Sequence, residues 1–202
     1  MLSKKSLGKE LATLRTFRTH HAELEQFSTP SHIAESLLWT AHMQRDIKGK
    51  HVVDLGAGTG ILGIGCLFLG ARHVVFVEKD PDAIEVLDEN LDDFMYTNYE
   101  ILESDIGHVR RHADTVVMNP PFGAVNEHAD RRFLLKALEL APHVYSIHNA
   151  NSRNFLQAFS RDENCRLDII AEQQIYLPNV HEFHTKTRAQ ISVVLIRLSW
   201  RS

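Results

Sequence analysis

Apolar and polar residues recur with helical periodicity over the first part of the chain. Leucines return every three or four positions over residues 6–18, which predicts an amphipathic helix there. A second helix is predicted over residues 30–43, with Pro30 in its first turn and Thr29 as its N-cap. The pattern changes near residue 51, so these two helices are expected to precede a different kind of region.

In that region, short apolar runs rich in β-branched residues alternate with amphipathic stretches. The apolar runs predict strands at residues 51–55, 73–78, 99–103, 114–118, 143–147, 166–175 and 189–198. The stretches between them predict helices at residues 60–70, 80–92, 130–141 and 152–160. Strands that alternate with helices indicate a parallel sheet covered on both faces, and the last two strands, with no helix between them, predict one antiparallel edge hairpin. The predicted fold is therefore α/β, with the Rossmann-like seven-stranded layout of class I methyltransferases.

The chain of 202 residues is long enough to bury a sizeable core. No repeat, linker or low-complexity segment divides it, so we predict a single domain over residues 1–202. Within it, residues 1–45 are expected to form an N-terminal helical extension and residues 46–202 the Rossmann-like core. The apolar fraction of 44% and the charged fraction of 24% are ordinary for a globular protein.

The composition also argues against several classes of protein. The sequence has no run of about eighteen apolar residues and no secretory signal, so we expect neither a membrane span nor export. The two cysteines, Cys66 and Cys165, are isolated, which argues against a disulfide framework or a metal site and favours a reducing compartment. We expect a cytoplasmic protein, with the nucleus also open if the source is eukaryotic. The net charge of −4 argues against coating nucleic acid by charge alone.

A glycine-rich loop at residues 54–60 follows the first predicted strand. Glycines allow positive φ and a close approach of the backbone to a ligand, and ligands bind at this end of open α/β sheets. Glu78 ends the second strand, where a carboxylate can accept the two hydroxyl hydrogens of a ribose. Asp105 follows the third strand and can accept an adenine amino group, while Ile106 packs on the ring. These features indicate an adenosine-containing cofactor.

The fourth strand runs into Asn119, Pro120, Pro121 and Phe122, which suit the methylation of a conjugated amino nitrogen. Such a nitrogen is a poor nucleophile because its lone pair is delocalised. The side-chain oxygen of Asn119 and the carbonyl of Pro120 offer two acceptors, the prolines stiffen the loop, and Phe122 offers a face for stacking. With the glycine-rich loop and Glu78 in this order, the spacing favours S-adenosyl-L-methionine over a nicotinamide cofactor.

Further segments from about residue 7 to about residue 200 match one known family: they are Leu24 to Phe27, Thr29-Pro30, His32 to Ala34, Asp54 to Gly56, Asn119 to Gly123, Val144 to His148, Asp168 to Glu172, Tyr176 to Pro178, Phe183-His184 and Val194 to Arg197. On these residues the chain resembles the methyltransferase-like protein 5 family. Its members methylate the exocyclic amino group of an adenine in small-subunit ribosomal RNA. Phe27 departs from the tyrosine of many relatives, and Glu78 stands where human-like members have aspartate.

The resemblance implies roles along the whole chain. Gln26 and Thr29 would close over the methionine part of the cofactor. The implied cofactor-binding set is Gln26, Thr29, Asp54, Gly56, Gly58, Thr59, Ile61, Glu78, Asp105, Ile106 and Asn119. The implied catalytic set that holds the target base is Asn119, Pro120, Pro121 and Phe122. Phe183 and His184 lie in a segment that could approach the substrate, although an ordinary turn between two edge strands fits them equally well.

The resemblance also implies a partner. Eukaryotic members of the family form a heterodimer with a small zinc-binding activator protein that extends their sheet edge. In this chain Phe94, Met95 and Tyr96 lie close to the third predicted strand, where they fit either a partner surface or ordinary core.

Other functions stay open at this point. Guanine N2 in RNA, DNA adenine and protein glutamine are alternative amino substrates for a loop of this type. Enzymes for DNA or glutamine usually carry an additional domain, for which this chain has little room, whereas a guanine target is harder to exclude. A non-catalytic RNA-binding relative is the alternative of a different class, and the intact set of loop and acid residues argues against it.

Overall fold

Seven strands form one sheet in the computed structural model, which describes residues 2–18, 28–121, 129–177 and 189–200. The strands are β1 (His51–Leu55), β2 (His73–Glu78), β3 (Tyr99–Glu103), β4 (Thr115–Met118), β5 (His143–Asn149), β6 (Cys165–Leu177) and β7 (Ala189–Trp200). Their order is β3-β2-β1-β4-β5-β7-β6, with β7 antiparallel to both of its neighbours and all other pairs parallel. This arrangement confirms the predicted mostly parallel α/β sheet with an antiparallel edge.

Helices cover both faces of this sheet. They are α1 (Lys4–Leu11), α2 (Ser31–Met43), α3 (Ile61–Phe68), α4 (Pro81–Asp92), α5 (Ala129–Leu140) and α6 (Arg153–Asp162). The apolar residues of α1 to α4 share one core cluster with one face of the sheet, and those of α5 and α6 share a second cluster with the other face. In the part of the chain that the structure describes, no helix is long and apolar enough to cross a membrane.

The first helix is shorter than the sequence predicted. Its pattern suggested residues 6–18, but α1 ends at Leu11. Beyond it, the backbone N–H of Arg15 donates to Asn90 Oδ1 at 2.8 Å, and Asn90 Nδ2 donates to the Arg15 carbonyl at 3.1 Å. These bonds to a buried side chain of α4 replace the hydrogen bonds that a continued helix would make.

The predicted start of the second helix is also wrong. Pro30 itself occupies the N-cap position, and its carbonyl accepts from the N–H groups of Ile33 and Ala34 at 3.0 and 3.1 Å. Thr29 therefore lies outside the helix and does not cap it. Its hydroxyl instead accepts a hydrogen bond from Asn119, far along the chain.

A buried polar cluster joins several strands at the end of the sheet where the parallel strands begin. The Tyr145 hydroxyl donates to Asp46 Oδ2 at 2.7 Å, and the Arg197 guanidinium donates to the same oxygen at 3.1 Å. The Thr115 hydroxyl donates to the Asp46 carbonyl at 2.6 Å. Burial and the Asp46 carboxylate both raise the pKa of Tyr145, so its hydroxyl stays protonated and donates. The cluster links the segment before β1 to β4, β5 and β7.

We expect Tyr145→Phe to lower the free energy of unfolding by about 1–2 kcal/mol, because a buried hydrogen bond to a carboxylate is lost without a change in side-chain volume. Urea unfolding of the isolated chain measures this difference. Tyr96→Phe, at a half-buried tyrosine, is the matched control and should change the stability far less. Equal losses in the two variants would contradict the structural role of this hydroxyl.

Candidate active site

The glycine-rich loop connects β1 to α3 at the edge of the sheet where the parallel strands end. The N–H groups of Gly56 and Ala57 both donate to the Val77 carbonyl at 2.9 Å, which ties the loop to the end of β2. Gly56 has a φ of 74°, and a Cβ atom there would lie 2.8 Å from the ring of Phe133. The loop therefore needs glycine at this position for its backbone conformation and for its contact with α5.

Asp54 lies beneath this loop. Its carboxylate is buried and accepts a hydrogen bond from the Gly63 N–H in the first turn of α3 at 2.7 Å. The pKa of Asp54 is raised to about 7, chiefly by burial and to a smaller extent by the nearby Glu78 carboxylate, against the opposing effect of the Gly63 N–H. Asp54 thus connects β1 to the first turn of α3, and in this way it helps to fix the position of the glycine-rich loop between them.

Glu78, the last residue of β2, has a carboxylate held on both oxygens by backbone N–H groups. Gly58 donates to Oε2 at 2.8 Å, while Lys79 and Asp80 donate to Oε1 at 2.8 and 3.0 Å. Oε1 already accepts two of these bonds and Oε2 accepts one, so this geometry orients the carboxylate and leaves a lone pair of Oε2 for a hydroxyl group of a ribose. The predicted acid therefore adjoins the predicted loop, through the bond to Gly58.

Asp105 lies just beyond β3, whose last residue pairs with Glu78. Its Oδ1 accepts from the Gly107 N–H at 2.8 Å, and the carboxylate forms an ion pair with Arg132 of α5. Partial burial tends to raise the pKa of Asp105, but the Gly107 N–H and the Arg132 guanidinium outweigh it and the pKa lies below its usual value. Ile106 beside it is buried. The two predicted acids thus lie at the ends of adjoining strands.

Asn119 follows β4 directly, and its side-chain amide donates a hydrogen bond to another described residue. Nδ2 donates to the Thr29 hydroxyl at 2.9 Å. Its Oδ1 is shielded from solvent and has no hydrogen-bond partner among the described residues. A buried acceptor without a partner costs about 1–3 kcal/mol, so this oxygen is a candidate for binding a ligand donor. Pro120 is buried and Pro121 half-buried beside it.

The remaining predicted site residues divide into two groups. Thr59 is buried, with its carbonyl accepting from Asn90 Nδ2 at 3.0 Å, and Ile61 begins α3 as a half-buried residue. Four others lie outside the described residues: Gln26, Phe122, Phe183 and His184.

The sequence interpretation missed Asn90. This side chain of α4 is 1% exposed and binds the backbone of Arg15 in both directions as well as the Thr59 carbonyl. It therefore joins the N-terminal segment to the glycine-rich loop. The available signal was a polar residue on the apolar face of the predicted helix, where a buried amide must find partners.

A buried serine and histidine also lie beside the loop after β4. The Ser146 hydroxyl is 2.8 Å from His148 Nε2, and Ser146 pairs in register with Met118, the last residue of β4. Burial lowers the pKa of His148 to about 3, so its imidazole is neutral at working pH. The pair serves as a fixed hydrogen-bonding group and not as a proton acceptor near neutral pH.

Comparison with known proteins agrees with this geometry. The family model described as the methyltransferase small domain matches residues 23–143. The rRNA N(6)-adenosine-methyltransferase METTL5 of Danio rerio is 36% identical, over 87% of this chain and 88% of that protein. The corresponding Mettl5 of Drosophila melanogaster is 34% identical, over 95% and 94%. A crystal structure from Pyrococcus horikoshii, provisionally named an RNA methyltransferase, is 40% identical, covers 100% of both chains and superposes with a TM-score of 0.90.

Asp54 leads to a testable pH dependence. Its folded-state pKa of about 7 lies above its usual value of 3.8, so between these values the folded protein keeps a proton that the unfolded chain has released. The resulting stability is fully present below the lower pKa and is lost as the pH rises through the upper one. We expect Asp54→Asn to remove this loss, so that the free energy of unfolding falls less between about pH 5 and pH 8.

Urea unfolding at several pH values would measure this slope. His148 titrates in the opposite sense at the acidic end, but it is common to both proteins, so the difference between them isolates Asp54. An unchanged slope in the variant would show that burial does not raise the pKa of Asp54.

Proposed function

This chain belongs to the methyltransferase small-domain family, within which it is a relative of the METTL5 rRNA N(6)-adenosine-methyltransferases, and from that premise we propose that it methylates the exocyclic N6 amino group of an adenosine in small-subunit ribosomal RNA. It is a class I methyltransferase and uses S-adenosyl-L-methionine as its cofactor. The names of the relatives support ribosomal RNA as the substrate class. The choice of the small subunit follows from the family resemblance in the sequence.

The main support for the proposal is the side-chain oxygen of Asn119, a buried hydrogen-bond acceptor that has no partner among the described residues. An amino group attached to a purine ring has two hydrogens to donate, and it reacts only when its lone pair is directed at the methyl donor. Asn119 Oδ1 is buried with no described partner, and its amide plane is held by the bond from Nδ2 to Thr29. A substrate N–H group would satisfy this oxygen and be oriented by it.

The residues present fit the cofactor. Glu78 ends β2 and Asp105 lies just beyond the adjoining β3, and they keep acceptor capacity for a ribose hydroxyl group and an adenine amino group. Gly56 and Gly58 lie between them and Asn119, at the end of β1. When bound, the cofactor supplies an electrophilic methyl group on its sulfonium centre.

The protein groups act by positioning the target. Asn119 Oδ1 and the Pro120 carbonyl each accept one amino hydrogen, so that the nitrogen lone pair points at the methyl group. The bound cofactor would supply its methyl group to this nitrogen and would be left as a neutral thioether, and the surplus amino proton would leave to water. Flipping the base out of its stack costs a few kcal/mol, and stacking on Phe122, assigned from the sequence, would return about 1–3 kcal/mol. Most of the rate enhancement would come from orientation and fixed dipoles, not from a strong general base.

We expect Asn119→Ala to lower the rate of methyl transfer by at least about a hundredfold, because the orienting acceptor is lost. Calorimetry should still detect binding of S-adenosyl-L-methionine, which separates a catalytic defect from a misfolded site. Thr29→Val should slow the reaction by a smaller factor, because it releases the amide of Asn119, whereas Thr29→Ser, which keeps the hydroxyl, is the matched control. Turnover of Asn119→Ala at the wild-type rate would exclude this mechanism.

The assay itself is transfer of labelled methyl from the cofactor to purified small-subunit ribosomal RNA, followed by nucleoside mass spectrometry. N6-methyladenosine supports the proposal, and methylguanosine would replace it with a guanine N2 target. Label found only in DNA or in protein glutamine would assign one of the other amino substrates. Failure to bind the cofactor would favour a non-catalytic RNA-binding relative.

We also propose that the exposed edge of β3 receives a small zinc-binding activator protein, as the family resemblance implies. β3 pairs only with β2 in the described sheet, so its other edge offers free backbone groups for an added strand. Phe94 and Tyr96 are half-buried and their rings contact Phe68, but Met95 between them is 88% exposed. On this proposal the enzyme works as a heterodimer in the cytoplasm, or in the nucleus of a eukaryote.

We expect Met95→Asp to weaken binding of the activator while the isolated chain stays folded, because a charge then faces an apolar partner surface. Met43→Asp is the matched control, since Met43 is also exposed, at the end of α2 away from β3. Calorimetry with the purified activator and the methyl-transfer assay would measure both effects. Full activity of the isolated wild-type chain on ribosomal RNA would show that no activator is required.

A further inference from the structure

Arg132 of α5 forms an ion pair with Asp105, the residue that we expect to bind the adenine ring of the cofactor. One guanidinium nitrogen, Nη1, donates to Asp105 Oδ2 at 3.3 Å, and Nη2 donates to Oδ1 at closer range. The absence of a side chain at Gly107 leaves space for this pair. A Cβ atom at Gly107 would lie 2.8 Å from Arg132 Nη2 and 3.1 Å from Asp105 Oδ1.

We propose that Arg132 is a positioning residue for the adenine ring of the cofactor and acts through Asp105. The proposal rests on the proposed function only in that Asp105 accepts the adenine amino group. Arg132 is not expected to contact the methyl group or the target base.

The first reason is orientation. Asp105 Oδ1 already accepts from the Gly107 N–H at 2.8 Å and from Arg132. Among the described residues Oδ2 has only the longer contact to Arg132, which leaves it as the oxygen with most capacity for a further donor. A two-point contact from a planar guanidinium fixes the rotation of the carboxylate, which a single contact cannot do.

The second reason is desolvation. The Asp105 side chain is 35% exposed, and a ring that docks on it removes part of this contact with water. Burying an ionised carboxylate is costly unless a cation pairs with it. Arg132 supplies that cation before the cofactor arrives. Lys79 contributes a further, weaker attraction, since its charge also lowers the pKa of Asp105.

The position of Arg132 also links two parts of the site. Phe133, the next residue of α5, packs over Gly56 of the glycine-rich loop. Successive side chains of one helix therefore contact the loop after β1 and the acid after β3. In the chain, α5 is the next element after β4 and the Asn119 loop. The helix that contacts Asp105 therefore follows the proposed catalytic segment.

The helix contains its own matched control. Arg131 is the neighbouring residue, carries the same charge and is also largely exposed, but it pairs with Glu163 at 3.3 Å and not with Asp105. Replacing either arginine changes the net charge equally. Because Arg132 is exposed, its replacement should leave the fold intact, which thermal unfolding can check.

Calorimetric titration with S-adenosyl-L-methionine tests the proposal. We expect Arg132→Ala to raise the dissociation constant about tenfold, Arg132→Lys to raise it less because the charge stays but the two-point contact is lost, and Arg131→Ala to leave it unchanged. At saturating cofactor and RNA, kcat of Arg132→Ala should equal that of the wild type, so the defect lies in KM for the cofactor.

A second measurement tests the contact with the amino group of the adenine ring by itself. The purine-riboside analogue of S-adenosylhomocysteine carries a hydrogen atom in place of the amino group, so it cannot donate to Asp105. The wild type should bind the adenine compound more tightly, and Arg132→Ala should reduce this preference. A residue with only a structural role would lower the affinity for both compounds equally.

The effects of Arg132→Ala and Asp105→Asn on cofactor affinity should not add in the double variant, because one residue acts through the other. Additive effects, or an Arg132→Ala protein that binds the cofactor as tightly as the wild type, would overturn the proposal. Cofactor binding needs no RNA, so a wild type that binds the cofactor but methylates no adenine would refute the proposed function and leave this inference standing.

Discussion

The parallel pairing of β1 with β2 on one side and β4 on the other is the constraint on which the active site depends. Parallel strands end at the same edge of a sheet, so the loops that follow β1 to β4 converge there. Gly56 and Ala57 both donate to the Val77 carbonyl, and Gly58 donates to the Glu78 side chain. A slip of β2 by one residue would break these bonds and turn Glu78 to the other face of the sheet.

The hydrogen-bond acceptors around this edge of the sheet differ in how many donors they already bind. Glu78 and Asp105 are oriented by backbone N–H groups and retain spare lone pairs. Asn119 keeps a shielded oxygen with no described partner, and Asp54 lies buried with a pKa near 7 beneath the loop. The unpartnered oxygen of Asn119 and, near neutral pH, the buried carboxyl group of Asp54 cost stability in the free protein, as is expected where residues serve binding more than folding.

Segments that are distant in the chain connect these loops to one another through hydrogen bonds and packing contacts. The N-terminal segment is bound at Arg15 by Asn90, which also holds the Thr59 carbonyl, and Thr29 binds Asn119. From the other side, α5 contacts the loops through Arg132 and Phe133. The loops that we propose to bind the cofactor and the target base therefore contact the same residues, so a substitution at one of these residues can affect more than one part of the proposed site.

The sequence by itself determined the order and type of the strands, because β-branched runs, glycines and prolines act through local backbone chemistry. It also located the acids and the Asn119 loop, since these follow the strands directly. Only the tertiary structure decided that residues 12–18 leave the helix, that Thr29 binds Asn119 and that Arg132 pairs with Asp105. These contacts span 75, 90 and 27 positions. Local periodicity carries no information about such partners, and a buried side chain that must satisfy its hydrogen bonds outweighs the small preference of a few residues for helix.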